Sequence, residues 1–455
     1  MVTLRYDEGT IRIDGDGASS LDDLVYVRSD PRSQSRRAPA FQYRPLVDAC
    51  RERALTVDDH VLDLPAIGRL ETDYALRSYQ EEALEAWREA DDRGVLELPT
   101  GSGKTVVAVA AMAALATPTL VVVPTIDLLE QWERELDAEF GAALADEGTA
   151  IGRLGGGEQR LGPITVATYD SAYLRADELG DRFGLLVFDE VHHLGGEGYR
   201  DIARLLAAPA RLGLTATFER PDDAHEVVAE LVGPVVYRRS ADDLAGEHLA
   251  AYDIKRLEVE LTPEERERYE DHQGVFTDYL ATSGIQFRSG SDYQELVKRS
   301  GTDPRAREAL LAKQRAREVM MNAERKVAVL AEILERHRDD RVIVFTAYTD
   351  LVYDLAERFL LPPITNETPA AERREILERF RRGDYSRVVA ANVLDEGVDV
   401  PDANVAVVLS GSGSEREFTQ RLGRILRPKD DGGRALLYEV VTRETAEERV
   451  ARRRR

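Results

Sequence analysis

Residues 96–105 read LELPTGSGKT, and this stretch decides the fold. Val95, Leu96 and Leu98 have the character of a buried strand end, Gly101, Ser102 and Gly103 form a turn too glycine-rich for a packed core, and an apolar helix runs on from Val106. Strand, glycine turn and helix make a cradle for phosphate. Gly101 and Gly103 let backbone N–H groups face an anion, and the helix N-terminus adds its positive dipole end. Lys104 has the reach for the β and γ phosphates, and the Thr105 hydroxyl suits Mg²⁺. Leu98 stands where the longer phosphate-loop pattern has glycine, so the match is to the shorter Gly-x-Gly-Lys-Thr core. The plain alternative is a strand-to-helix turn with an exposed lysine.

The 455 residues are enough for about three domains, and a hydrophobic fraction of 43% with 18 prolines describes a globular chain. Sixty-one basic residues against 85 acidic ones leave a formal charge of −24 and a pI near 4.9. Either the protein avoids polyanions, or an acidic surface serves solubility in high salt around a locally basic groove. At high salt phosphate contacts weaken steeply, which shifts any grip on DNA toward shape, hydrogen bonds and stacking. Cys50 is the single cysteine, which excludes an intrachain disulfide. The opening MVTLRYDEGT lacks a signal-peptide pattern and no apolar run is long enough to span a bilayer, so a cytoplasmic protein is expected.

Residues 1–70 alternate short strand-like pieces, such as Thr10–Asp14 and 24–27 (LVYV), with a turn-rich basic stretch at 29–37 and a helix-like segment at 45–54. This predicts a small α/β domain. Arg28, Arg32, Arg36 and Arg37 beside Phe41 and Tyr43 suggest either a nucleic-acid face or a solvated loop next to core aromatics. From Tyr74 onward strands and helices alternate: a helix carrying Ala83, Leu84 and Trp87 on one face, the phosphate loop, a helix to about Ala116, and strands at Thr119–Val123, 164–167, 185–188 and 212–215. That rhythm predicts a parallel sheet wrapped on both faces, with ligands at the carboxyl ends of the strands. Gly155, Gly156 and Gly157 are read as an ordinary turn, because no Lys-Ser/Thr follows. Residues 246–325 break the rhythm; Thr262, Pro263 and Glu265 form a helix start, and Tyr269, Phe276, Tyr279 and Leu280 continue at near-helical spacing. A second α/β unit spans 326–445, with strands at 341–345, 388–390, 405–409 and 435–441 and no phosphate loop of its own. Residues 446–455 end in a basic tail.

The acid pair Asp189-Glu190, followed by Val191, His192 and His193, comes at the end of the strand 185–188. Asp189 suits Mg²⁺ and Glu190 suits the orientation of an attacking water, although two histidines after two acids also allow a transition-metal site or a polar loop. Thr215-Ala216-Thr217 ends the next strand and is placed to relay between this site and a partner domain. In the second unit Arg421, Arg424 and Arg427 fall at helical spacing, with Ile425 and Leu426 on the other side. Arginines facing a phosphate cleft from a second domain supply the charge that phosphoryl transfer needs.

In order and spacing, LPTGSGKT, DEVHH, TAT, DEGVD (395–399) and QRLGRILR (420–427) resemble motifs I, II, III, V and VI of superfamily 2 helicases. LRSYQ (76–80), VVVPTIDLLEQW, TVATYDSA and VIVFTAY resemble the Q-type motif and motifs Ia, Ib and IV. ATPTLVVVPT, RLGLTATFER, the segment around GSGSEREFTQ and the terminal ARRRR are similar to the archaeal branch of the XPB DNA repair helicases. The resemblance implies two RecA-like lobes, an N-terminal damage-recognition-like domain, a helical thumb at about 250–325, and ATP-driven 3′ to 5′ translocation or duplex opening in DNA repair or transcription. By the same likeness Arg77, Gln80, Pro99, Thr100, Ser102, Gly397 and Asp399 join the glycines, Lys104 and Thr105 around ATP, with Gln80 selecting adenine. Lys104, Asp189, Glu190, Arg424 and Arg427 would be catalytic, and Thr105 and Asp189 would hold Mg²⁺. Thr125, Thr168, Thr215, Thr217, Arg220, Asp222, Thr346 and Gln420 would contact DNA or couple it to the ATP site. One position departs from the family: its Arg-Glu-Asp element is Arg220-Pro221-Asp222 here, which removes an acid and fixes a backbone angle. ATP hydrolysis is therefore expected to be stronger than strand separation. Implied partners are single-stranded or duplex junctions, damaged duplex, and a nuclease or a repair or transcription protein, with no membrane. The alternatives are the motor of a restriction-type translocase, an RNA helicase, and a damage-binding scaffold with a vestigial ATPase.

Overall fold

The computed structural model describes residues 1–196, 198–219, 224–244, 252–285, 290–391, 403–410 and 435–447. They fall into two compact units, one made by residues 1–244 and the other by the described residues from 252 onward.

The first unit opens with five strands, β1 (Val2–Asp7), β2 (Thr10–Asp14), β3 (Arg28–Asp30), β4 (Ser35–Pro39) and β5 (Val57–His60), ordered β3-β4-β2-β1-β5. Helix α1 (Tyr43–Glu52) packs Leu46, Ala49 and Cys50 against the buried face of that sheet, which carries Val2, Leu4, Ile11 and Ile13. Two expectations change here. Residues 24–27 are a turn, closed by Val27 N–H donating to the Leu24 carbonyl, with Val25 largely exposed. The stretch 29–37 is instead a paired hairpin of β3 and β4. Tyr6 Oη donates to the Leu205 carbonyl, Asp63 N–H donates to the Asp181 carbonyl, and Ala207 joins the N-terminal core, so this small domain is seated on the helix Arg200–Leu205 and the loops beside it.

That sheet has eight strands: β6 (Arg93–Glu97), β7 (Thr119–Val123), β8 (Gly152–Gly155), β9 (Glu158–Arg160), β10 (Ile164–Thr168), β11 (Leu185–Asp189), β12 (Ala210–Thr215) and β13 (Val235–Arg238). They are ordered β13-β6-β12-β11-β7-β10-β8-β9, parallel except for the β8–β9 hairpin, whose turn holds Gly156 and Gly157. The central strands read as unbroken apolar runs because both faces are covered, as in β7, TLVVV, where every residue is buried. Helices α2 (Ser78–Glu89), α3 (Lys104–Leu115) and α4 (Ile126–Asp146) precede and follow β6 and β7. Helix α2 starts at Ser78, so Gln80 lies within it, and α3 starts at Lys104, two residues before the apolar run suggests.

The second unit is built on β14 (Tyr252–Val259), β15 (Val342–Phe345), β16 (Pro363–Ile364), β17 (Arg387–Ala390), β18 (Val405–Val408) and β19 (Ala435–Thr442). All pairs are parallel, in the order β14-β19-β18-β15-β17-β16. Residues 252–259, expected inside a helical segment, are thus an edge strand paired with β19. The helices follow it at Pro263–Ser283, Gly290–Ser300 and Pro304–Met321, the first opening with the Thr262/Glu265 capping box and closing on left-handed Gly284. Among the described residues no helix is long and apolar enough to cross a membrane.

Candidate functional site: the phosphate loop and its acid pair

The loop between β6 and α3 turns on Gly101 and Gly103, at φ +79° and +76°. Side chains rarely adopt that left-handed backbone, which is why glycine occupies both positions. Lys104 is the first residue of α3; its side chain is buried and Nζ donates to the Leu98 carbonyl at 3.1 Å. The Ser102 carbonyl accepts from Tyr79 Oη at 2.6 Å and from Gln80 Nε2 at 2.8 Å, while Gln80 Oε1 accepts the Arg77 N–H at 2.9 Å. Gln80 therefore braces the loop against the start of α2 from both ends of its amide. Two buried hydroxyls, Thr100 Oγ1 and Ser102 Oγ, have no hydrogen-bond partner among the described residues. Buried polar atoms are costly when unpaired, so these two hydroxyls are placed to bond a ligand or water in the loop, and an oxygen-rich group such as a polyphosphate fits them.

The acid pair opens on the same edge of the sheet. Strand β12 separates β6 from β11, with Asp189 level with Leu214, Thr215 level with Glu97, and Leu98 N–H donating to the Thr215 carbonyl at 3.0 Å. The Asp189 carboxylate is held twice: Oδ2 accepts the Trp132 indole N–H at 2.9 Å and Oδ1 accepts Glu190 N–H at 3.0 Å. Its main-chain carbonyl accepts Tyr169 Oη at 3.1 Å. Glu190 sits in the left-handed region at φ +47° with its side chain enclosed, a strained conformation of the kind that collects at functional sites. His192 Nδ1 lies 3.5 Å from Glu190 Oε2 and 3.3 Å from Thr215 Oγ1, and Thr215 Oγ1 donates to the Thr217 carbonyl at 2.8 Å. Hydrogen bonds thus run from His192 through Thr215 to Thr217, with the Glu190 carboxylate close to the His192 end. His193 packs beside the Tyr169 ring. Among the described residues no three His, Cys, Asp or Glu side chains gather as a metal cage, so the transition-metal reading gains no support. Mg²⁺ asks for less, since it takes one or two carboxylates plus substrate phosphates and water, and Asp189 and the half-buried Thr105 hydroxyl suit that role.

The residues expected to meet DNA lie in varied surroundings. Thr125 and Thr168 are N-caps, accepting from Leu128 N–H at 3.3 Å and Ser171 N–H at 3.2 Å, each at the carboxyl end of its strand. Thr346, in the second unit, is buried with its hydroxyl 2.9 Å from Ser410 Oγ. Arg220, Pro221, Asp222, Gly397, Asp399, Gln420, Arg421, Arg424, Arg427 and residues 452–455 lie outside the described residues. In the N-terminal domain Arg36 pairs with Asp22, Arg37 with Asp7 and Asp30, and Tyr43 Oη donates to Asp59, so that basic stretch spends much of its charge internally. Two residues the sequence reading passed over bond directly to Asp189, Trp132 through its indole and Tyr169 through its hydroxyl, while His192, read from the sequence as a possible metal ligand, instead lies against Glu190. The available signal was that a buried indole or phenol needs an acceptor.

Residues 4–61 match the xeroderma pigmentosum group B helicase damage recognition domain, residues 73–220 the type III restriction enzyme res subunit, and residues 306–455 the ERCC3/RAD25/XPB C-terminal helicase. The chain is 45% identical to a protein named DNA 3′-5′ translocase XPB2 from Sulfurisphaera tokodaii, over the whole of both chains. It is 33% identical to DNA 3′-5′ helicase XPB of Mycobacterium tuberculosis, covering 96% of this chain and 72% of that one. Among solved structures it is similar to the Hef helicase domain of Pyrococcus furiosus, with a TM-score of 0.53 at 20% identity over 83% of this chain and 98% of that one, a likeness of fold.

Proposed function

Because this chain belongs to the XPB family of DNA helicases, we propose that it is an ATP-driven motor that moves 3′ to 5′ along DNA in excision repair or transcription-linked repair. The observation that carries the reading is the shared sheet edge at which the Gly101–Gly103 turn, Lys104 and the Asp189-Glu190 pair all open, one strand apart. Lys104 offsets the charge that grows on the β and γ phosphates, and the glycine turn presents backbone N–H groups to them. Thr105 and Asp189 would hold Mg²⁺, which when bound neutralises phosphate charge. Glu190, kept enclosed beside His192, orients the attacking water and takes up its proton. Thr100 and Ser102 donate their unpaired hydroxyls to nucleotide oxygens. By the family likeness, Arg77, Gln80, Pro99, Gly397 and Asp399 are assigned to nucleotide binding, and Arg424 and Arg427 to transition-state charge. Thr125, Thr168, Thr215, Thr217, Arg220, Asp222, Thr346 and Gln420 contact DNA or link it to the acids, the His192–Thr215–Thr217 hydrogen bonds beside Glu190 being a ready route. A nuclease or a repair or transcription protein is the proposed partner.

ATPase rate measured against single-stranded, duplex, forked and RNA ligands over a salt series tests this. DNA should stimulate the rate and RNA should not, and Glu190→Gln should remove at least the ~10² contributed by a positioned proton acceptor. Equal stimulation by RNA, or wild-type turnover by Glu190→Gln, overturns the assignment.

A further inference from the structure

Trp132 lies in the second turn of α4 with its indole buried and its N–H on Asp189 Oδ2. Glu190 N–H bonds the other carboxylate oxygen, so among the described residues the carboxylate is held by a donor from the loop itself and by one from a separate helix. The indole is a donor only: it neither titrates nor accepts, and it adds no charge to the site. A neutral donor of this kind fixes a carboxylate's direction while leaving its full negative charge for a cation, as hydrogen-bond partners behind metal ligands do. Helix α4 is anchored at its start by the Thr125 cap and along its length by buried Leu128, Leu129, Leu136 and Phe140, so the indole cannot swing away without unpacking the helix. We propose that Trp132 is a positioning residue for the divalent-cation end of the ATP site. The proposal rests on the function assigned above, since it concerns the carboxylate that would hold Mg²⁺ there.

Phenylalanine at 132 keeps a ring in the packing and removes the donor. Mn²⁺ serves as the probe, its binding to the full chain with ADP followed by electron paramagnetic resonance of the free ion. Trp132→Phe should weaken Mn²⁺ about 10-fold, the lower end of the usual effect of such partners, while ADP binding in EDTA stays as in wild type. Wild-type Mn²⁺ affinity in that variant overturns the proposal. A second measurement needs no change at 132. The chain has two tryptophans, Trp87 and Trp132, so 5-fluorotryptophan gives two fluorine signals, which Trp87→Phe assigns. Trp87 donates to the Arg211 carbonyl, toward the opposite end of β12 from Leu214, the residue level with Asp189. Mn²⁺ with ADP should broaden the Trp132 signal well before that of Trp87. Bound Mn²⁺ that leaves the Trp132 signal unmoved overturns the proposal alone, whereas a wild-type chain that binds no Mn²⁺ with ADP and shows no ATPase removes the function and the inference together.

Discussion

Replacing Gly103 by alanine strains the phosphate loop in two separable ways. At φ +76° and ψ +40° an alanine costs about 1–2 kcal/mol relative to glycine. Its Cβ would also lie 2.5 Å from Gln80 Nε2. The Gln80 amide is the far end of a flexible side chain, but it is pinned between Arg77 N–H and the Ser102 carbonyl and is buried, so retreat costs at least one hydrogen bond, about 1 kcal/mol net. The sum is about 2–3 kcal/mol, which at 1.4 kcal/mol per decade weakens ATP about 30- to 100-fold if the loop's shape is what holds the phosphates. Fluorescent-nucleotide titration of wild type, Gly103→Ala, Gln80→Ala and the double variant separates the terms. In the Gln80→Ala background only the backbone cost remains, so the alanine should there weaken ATP by about 5- to 30-fold. Wild-type affinity in Gly103→Ala would refute the cradle, and an equal loss in both backgrounds would refute the role given to Gln80.

Arg211 is fully enclosed and gives its N–H groups to the carbonyls of Ala203, Leu206, Ala208 and Leu231, while burial, with Arg93 nearby, pushes its pKa well down. Arg211→Met should destabilise the chain by about 3–5 kcal/mol in urea unfolding, since it strands those carbonyls; a change under about 0.5 kcal/mol would show that relief of the buried charge offsets them. Lys313 lies 4.7 Å from the Tyr293 ring and 5.5 Å from that of Phe276, and burial, with Arg317 adding, pushes its ammonium down to about 8. The folded value lies below the unfolded one, so the unfolded chain holds more protons between about pH 8 and 10.5 and stability rises with pH through that window. Amine acylation at pH 8 should mark Lys313 ahead of Lys255 and Lys298 by mass spectrometry, and equal labelling would contradict the shift.

The phosphate loop and the acid pair were legible because their chemistry needs particular residues side by side in the chain: Gly103 before Lys104, Glu190 after Asp189. The buried strands β7 and β11 were legible because continuous apolar runs with turn signals at both ends admit few other readings. Edge elements were not. Strand β14, YDIKRLEV, alternates charge with apolar residues, and Ile254 is more than half exposed, so its place is set by pairing with β19, some 180 residues away, rather than by its own pattern. The apolar LVYV at 24–27 misled for the opposite reason, being too short to pair once the turn closes on Leu24. The bond from Trp132 to Asp189 joins residues 57 apart on different elements, and no local spacing encodes it. The sequence marks Gln80 as a nucleotide contact, whereas its bracing of Ser102 depends on the folded loop.

The central claim is directed movement driven by the divided chemistry of Lys104 and Glu190. The most direct measurement follows ATP-dependent displacement of streptavidin from single-stranded DNA biotinylated at either its 5′ or its 3′ end, for wild type, Lys104→Ala and Glu190→Gln. Wild type should clear the 5′ end, reached by 3′ to 5′ travel, much faster than the 3′ end, and both variants should clear neither. Equal clearance of the two ends, faster clearance of the 3′ end, or displacement by either variant would contradict the account.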